Sequence, residues 1–86
     1  MPPRAITLAS LIVPDLGIRD IPVMVSLWLV PKGTAVMAGD RVVELVAGGV
    51  TIDLEAPVSG RLITQHVDED EPVVAGLILA DFEAIS

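Results

Sequence analysis

The sequence predicts an all-β domain, a small sandwich or barrel made of two similar halves. Three observations carry this expectation. First, the chain repeats itself. Val36-Met37-Ala38-Gly39 returns as Val73-Val74-Ala75-Gly76, 37 positions on, and the same spacing pairs Val25 with Leu62, Val30 with Val67, Val42 with Leu79, Glu44 with Asp81 and Leu45 with Phe82. A run of conservative matches in register marks internal similarity, and two copies are too few for a solenoid. They suit a sandwich in which each half supplies one sheet. Second, seven glycines and seven prolines punctuate the chain at short intervals, and no long helical period survives between them. Third, the chain is 52% hydrophobic but only 2% aromatic, so its core is aliphatic. Val, Leu and Ile can build such a core, and the branched ones sit well on a pleated surface.

Six strands follow in order. The first covers about residues 5–13 and ends at the turn Pro14-Asp15-Leu16-Gly17. The second covers 23–30 and is closed by Pro31-Lys32-Gly33. The third covers 41–46 and the fourth 50–56, joined through Ala47-Gly48-Gly49. A Gly-Gly pair between apolar strands signals a two-residue hairpin, here expected as type I′ with positive φ at both glycines. The fifth strand covers 61–67, after Pro57-Val58-Ser59-Gly60, and the sixth 77–85. Short strands at this spacing belong to a sandwich or barrel with almost no helix. Residues 1–86 form one domain with an ordered core over about 5–85 and a frayed Met1-Pro2-Pro3-Arg4.

Composition excludes several classes of function. There are no cysteines, hence no disulfide framework and no Cys-based zinc or redox site. That fits a reducing compartment, and a cytoplasmic location is expected. Net charge is −7, with Lys32 and four arginines scattered along the chain. Phosphate backbones are held by Lys and Arg, so nucleic acid is not an expected partner. Acidity instead steers the domain toward basic partner surfaces. No membrane span is expected: the run over 21–30 is broken by Pro22 and Ser26 and is far shorter than the roughly 20 apolar residues required. Residues 5–13 resemble a weak secretory core behind Arg4 but run into Pro14-Asp15 without a small-residue cleavage site.

Five motifs stand in order at suitable spacing: Val13-Pro14-Asp15-Leu16-Gly17, Trp28-Leu29-Val30, Val36…Gly39-Asp40, Ala56-Pro57-Val58-Ser59-Gly60 and Val73…Gly76. Together they resemble the lipoyl domain of 2-oxo acid dehydrogenase acyltransferases and, more broadly, the biotinyl/lipoyl carrier family, from about residue 11 onward. The resemblance implies a flattened β-barrel, a barrel-sandwich hybrid of two quasi-symmetric halves, in agreement with the repeat. It also implies a swinging-arm carrier. In that family the hairpin between the halves presents a lysine, within Glu-Thr-Asp-Lys-Ala for lipoate or Met-Lys-Met for biotin. Counting back from Ala56-Pro57-Val58-Ser59-Gly60 puts that lysine at Gly49, within Val46-Ala47-Gly48-Gly49-Val50. Glycine has no amine to acylate. The only lysine, Lys32, falls in the loop after the second strand. The whole run departs from the family, which points to natural divergence rather than a single-residue knockout. The site expected is therefore a vacant attachment position, Gly49 with its hairpin neighbour Gly48, and no cofactor.

Other residues invite chemistry but lack partners. His66, the only histidine, stands beside Asp68-Glu69-Asp70-Glu71; without Cys or a second His it makes a poor transition-metal site. The acidic run lacks the alternating ligands and sharp-turn Gly of a calcium loop and reads as a solvated loop, able to meet a basic partner. Trp28 is expected to be partly buried. Ser59 has no neighbouring base and reads as turn chemistry. No catalytic set and no metal site is expected, and the chain is not read as an enzyme. The expected function is a non-catalytic lipoyl-like domain that binds, docks or scaffolds a protein partner. The alternative is a component of a 2-oxo acid dehydrogenase or related acyltransferase complex, with a separate modified domain doing the carrying.

Overall fold

A computed structural model of the chain describes residues 6–85. The expectations for Met1–Arg4 and for Ala5 as the start of the first strand lie outside these residues. Eight strands run in order: β1 Ile6–Ile12, β2 Val23–Trp28, β3 Ala35–Val36, β4 Arg41–Ala47, β5 Val50–Glu55, β6 Gly60–Gln65, β7 Pro72–Val73 and β8 Ile78–Ile85. The described residues contain no helix. All six expected strands are present; the second stops earlier, at Trp28, and the fifth at Gln65. Two strands were not expected, β3 and β7. Each has only two residues, too few for an alternating pattern to register.

The strands form two four-stranded sheets, ordered β1-β8-β6-β3 and β5-β4-β2-β7, and every pairing is antiparallel. Packed together they give the flattened barrel-sandwich expected. The halves do not each supply one sheet, however. β1 and β3 of the first half join β6 and β8 of the second, while β2 and β4 join β5 and β7. The reason lies in the connections. Only β4–β5 is a hairpin within one sheet; every other connection carries the chain across to the facing sheet. The halves therefore interleave.

The 37-residue spacing survives in the backbone. It carries β2 onto β6, β3 onto β7 and β4 onto β8. The register shift between Val25 and Leu27 recurs between Leu62 and Thr64. Asp70 N–H donates to the Val25 carbonyl at 2.7 Å, as Gly33 N–H does to that of Leu62 at 2.7 Å. Val25 N–H reaches the Glu71 carbonyl at 3.0 Å, and Leu62 N–H that of Thr34 at 3.0 Å. Side chains follow suit. Val25 and Leu62, Val42 and Leu79, and Leu45 and Phe82 are all fully buried. Each such side chain stabilises the fold by about 1.5–3 kcal/mol relative to exposure.

Gly60 opens β6 where it passes β8. A Cβ there would lie 2.2 Å from the carbonyl oxygen of Glu83 and 2.9 Å from its carbon. Those are backbone atoms fixed by the β6–β8 ladder, so only hydrogen fits. This explains why Ala56-Pro57-Val58-Ser59-Gly60 ends in glycine. Gly60→Ala should therefore lower unfolding stability by about 3 kcal/mol or more. For a domain expected to be only about 3–5 kcal/mol stable, that is most of the total. Gly39→Ala, with open space but φ of +92°, should cost about 1–2 kcal/mol. Urea titration of both variants against the parent checks the order.

Candidate functional site

The hairpin between the two halves closes on the pair Ala47 and Val50, leaving Gly48 and Gly49 as its two-residue tip. Gly48 has φ of +59°, while Gly49 lies outside the left-handed region. One positive φ, at the first central position, is the signature of a type II′ turn, not the expected type I′. Gly48 alone is thus conformationally required. Nothing lies within 4 Å of a Cβ built at Gly49, whereas one at Gly48 meets Ile21 Cγ2 at 3.8 Å.

Ile21 belongs to the segment that breaks the symmetry. Residues 13–22 join β1 to β2, ten residues, where residues 56–59, four residues, join β5 to β6 in the second half. Val13 and Ala56 hold the same place in the backbone: Gly76 N–H donates to the Val13 carbonyl at 2.8 Å and Gly39 N–H to that of Ala56 at 3.0 Å. The extra residues curl tightly. Asp15 Oδ1 accepts from Gly17 N–H at 2.9 Å, and Gly17 and Asp20 both adopt left-handed backbone, with φ of +69° and +64°. The curl walls an open groove of about 310 Å³ lined by Val13, Leu16, Ile18, Ile21, Val23 and Val74. Ile21, Val50 and Val74 stay exposed around the groove and the tip.

The remaining candidates are held by structural bonds. His66 Nε2 lies 2.7 Å from Asp81 Oδ2, and Ser10 Oγ donates to Asp81 Oδ1 at 3.0 Å. The carboxylate facing His66 is therefore Asp81, not the acidic run that follows it in sequence. The hydrogen bond from His66 holds the Asp81 carboxyl below the usual carboxylate range; partial burial opposes this, and Ser10 reinforces it. In the acidic run, Glu69 accepts from Trp28 N–H at 2.9 Å and Glu71 from Asp68 N–H at 2.8 Å. Those two carboxylates brace the backbone. Trp28 is partly buried against the core and donates from Nε1 to the Val67 carbonyl at 2.9 Å. Ser59 Oγ accepts from Ala38 N–H at 2.9 Å, tying one repeat turn to another loop. Among the described residues no group of three or more His, Cys, Asp or Glu side chains could hold a metal ion, and no helix is long and apolar enough to cross a membrane.

Biotin and lipoate are joined to their carriers through a lysine amine. The tip residues, Gly48 and Gly49, have no amine. Lys32 lies in the segment after Trp28, and Trp28 is the end of β2 away from the hairpin, since Val23 at the other end pairs with Ala47. The residues present do not fit a covalent arm at the tip. The groove residues Ile18, Ile21 and Val74 were not singled out by sequence reasoning. Their signal was available: Val13-Pro14 and Ala56-Pro57 stand 43 apart, not 37, which marks six extra residues in the first connection.

Two outcomes follow from these geometries. Gly48→Ala should cost about 1–2 kcal/mol. Gly49→Ala should be neutral or stabilising by up to about 1 kcal/mol, because it restricts the unfolded chain without clash. Urea midpoints decide between them. For Asp81, a depressed folded pKa means stability present above the ordinary carboxylate range and lost as pH falls through the lowered pKa. Asp81→Asn should therefore melt lower than the parent at neutral pH and approach it in acid. His66→Ala, removing one partner of a solvent-exposed pair, should cost no more than about 1 kcal/mol.

Residues 9–82, most of the chain, match the model of the biotin/lipoyl family, whose description is biotin-requiring enzyme. No curated protein matches the chain significantly.

Proposed function

The chain belongs to the biotin/lipoyl domain family, and we propose that it is a non-catalytic member, vacant at the attachment position Gly49, that works as a docking module for a protein partner. Domains of this family are carrier-type modules and not themselves catalytic. The observation that carries the reading is the hairpin between the halves. Its tip is Gly48-Gly49, and the chain's single lysine stands beyond the opposite end of β2. A carrier without an arm keeps the surface that visiting enzymes meet. Here that surface is the hairpin end, where six extra residues build an apolar groove beside the tip. The net charge of −7 favours a partner with a basic face. A place in a 2-oxo acid dehydrogenase or related acyltransferase complex is the narrower reading; it draws on Pro14-Asp15-Leu16-Gly17 and Trp28-Leu29-Val30.

The test restores the missing amine. Gly49→Lys keeps Gly48 in its left-handed turn and puts a lysine where space is open. Co-expressed with a lipoate ligase, it should gain the mass of a lipoyl group in a ligase-dependent way, while the parent keeps its unmodified mass. Gly48→Asp combined with Gly49→Lys should be modified no better, since Asp only tolerates the left-handed conformation that Gly adopts freely. Modification of the parent at Lys32 would refute the vacant-carrier reading. A folded Gly49→Lys protein that is never modified would refute Gly49 as the attachment position.

A further inference from the structure

We propose that β1 receives an extended, basic segment of a partner protein as an added strand, with a lysine or arginine of that segment lying over Leu8 and reaching Glu83. β1 stands at the end of its sheet and, among the described residues, is paired on one side only, with β8. An open edge is a row of unpaired donors and acceptors, and proteins normally guard it with charge, proline, bulges or brevity. β3 and β7 are guarded by brevity, at two residues each, and β7 begins with Pro72. β5 is the counterpart of β1 in the other half. The spacing that relates Val13 to Ala56 carries Leu8, Ser10 and Ile12 onto Thr51, Asp53 and Glu55. The register shifts of the two edges fall at matching places, between Leu11 and Ile12 and between Leu54 and Glu55. Two acids guard the β5 edge. β1 is seven residues long, with no charge and no proline.

Charge identifies the occupant. The outer face of β1 presents Ile6, Leu8, Ser10 and Ile12, with Leu8 65% exposed. Across the ladder Leu8 stands beside Glu83 and Ser10 beside Asp81. Asp81 is engaged by Ser10 and His66. The Glu83 carboxylate has no hydrogen-bond or ion-pair partner among the described residues; Arg61, its neighbour on the far side, donates to the Gly33 carbonyl instead. A strand added at β1 lies two strand spacings from β8, about 10 Å. A lysine or arginine beside Leu8 can lay its aliphatic stem on that side chain and bring its charged head to Glu83. Apolar residues fit beside Ile6 and Ile12. A strand without a cation would bury Glu83 further and leave it unpaired, which costs stability. The net charge of −7 draws a basic segment and opposes a second copy. β1 itself carries no Lys or Arg, so a second copy has no cation there to offer Glu83.

Two capped peptides serve as probes: Val-Thr-Thr-Thr-Arg-Thr-Val, which sets arginine beside Leu8 in antiparallel pairing, and the same peptide with glutamate in place of arginine. Each is titrated into the whole chain, with binding followed by backbone amide shifts and by amide hydrogen exchange. The arginine peptide should bind about fivefold or more tighter than the glutamate peptide at low salt, and the difference should close near 1 M salt. Alternate β1 amides should become protected as it binds. Glu83→Gln should keep the parent's circular dichroism spectrum and lose most of the preference. Ile21→Lys, in the groove, should bind the peptide like the parent, so this site and the docking reading at the hairpin end stand or fall separately. No binding of the arginine peptide overturns the proposal, as does equal affinity for the two peptides or protection confined to the hairpin end. A preference that survives Glu83→Gln, or binding lost in Ile21→Lys, overturns it too. So does protection of β1 that rises with protein concentration alone, the mark of a second copy on that edge. Should Glu83→Gln not fold, the parent's salt dependence decides: a preference insensitive to salt overturns the role of Glu83.

Discussion

Three pairs of buried side chains, each 37 residues apart, hold this molecule together: Val25 with Leu62, Val42 with Leu79 and Leu45 with Phe82. The members of each pair occupy matching places in the two halves, and all six side chains lie in one buried core. Because the halves interleave, each sheet takes two strands from each half. Neither half can cover its apolar face alone. The aliphatic centre thus forces a single cooperative unit, and the turns and loops are arranged around that condition. Gly60 meets it from another side: β6 can lie against the Glu83 carbonyl only because Gly60 has no Cβ.

Much of this was legible in the residues themselves. The repeat, the long strands and the hairpin at Gly48-Gly49 come from local patterns, and local patterns are what a sequence displays. The all-β class followed from them. The sharing of strands between sheets did not, because a repeat says that two segments look alike and not which sheet each strand enters. The turn type at Gly48-Gly49 was misread, since a Gly-Gly pair satisfies type I′ and type II′ equally. β3 and β7 were too short to display a period. The bond between His66 and Asp81 joins residues 15 apart, one just past the end of β6 and the other on β8, while the acidic run next to His66 in sequence was a false neighbour.

The candidate site lies where the symmetry fails. Strands, register shifts, backbone hydrogen bonds and core pairs repeat faithfully between the halves. The connection 13–22 does not: its six extra residues lean on the hairpin tip and open an apolar groove. Features shared by both halves serve the fold that both must build. A feature in one half alone is free to serve recognition. A tip without an amine and a groove beside it are the two features on which the proposed docking role rests.

Intact-mass measurement of the chain isolated from its own cells tests that account most directly. The account predicts the mass of the bare polypeptide in every fraction. A population heavier by a lipoyl or biotinyl group, on Lys32 or any other residue, would contradict it.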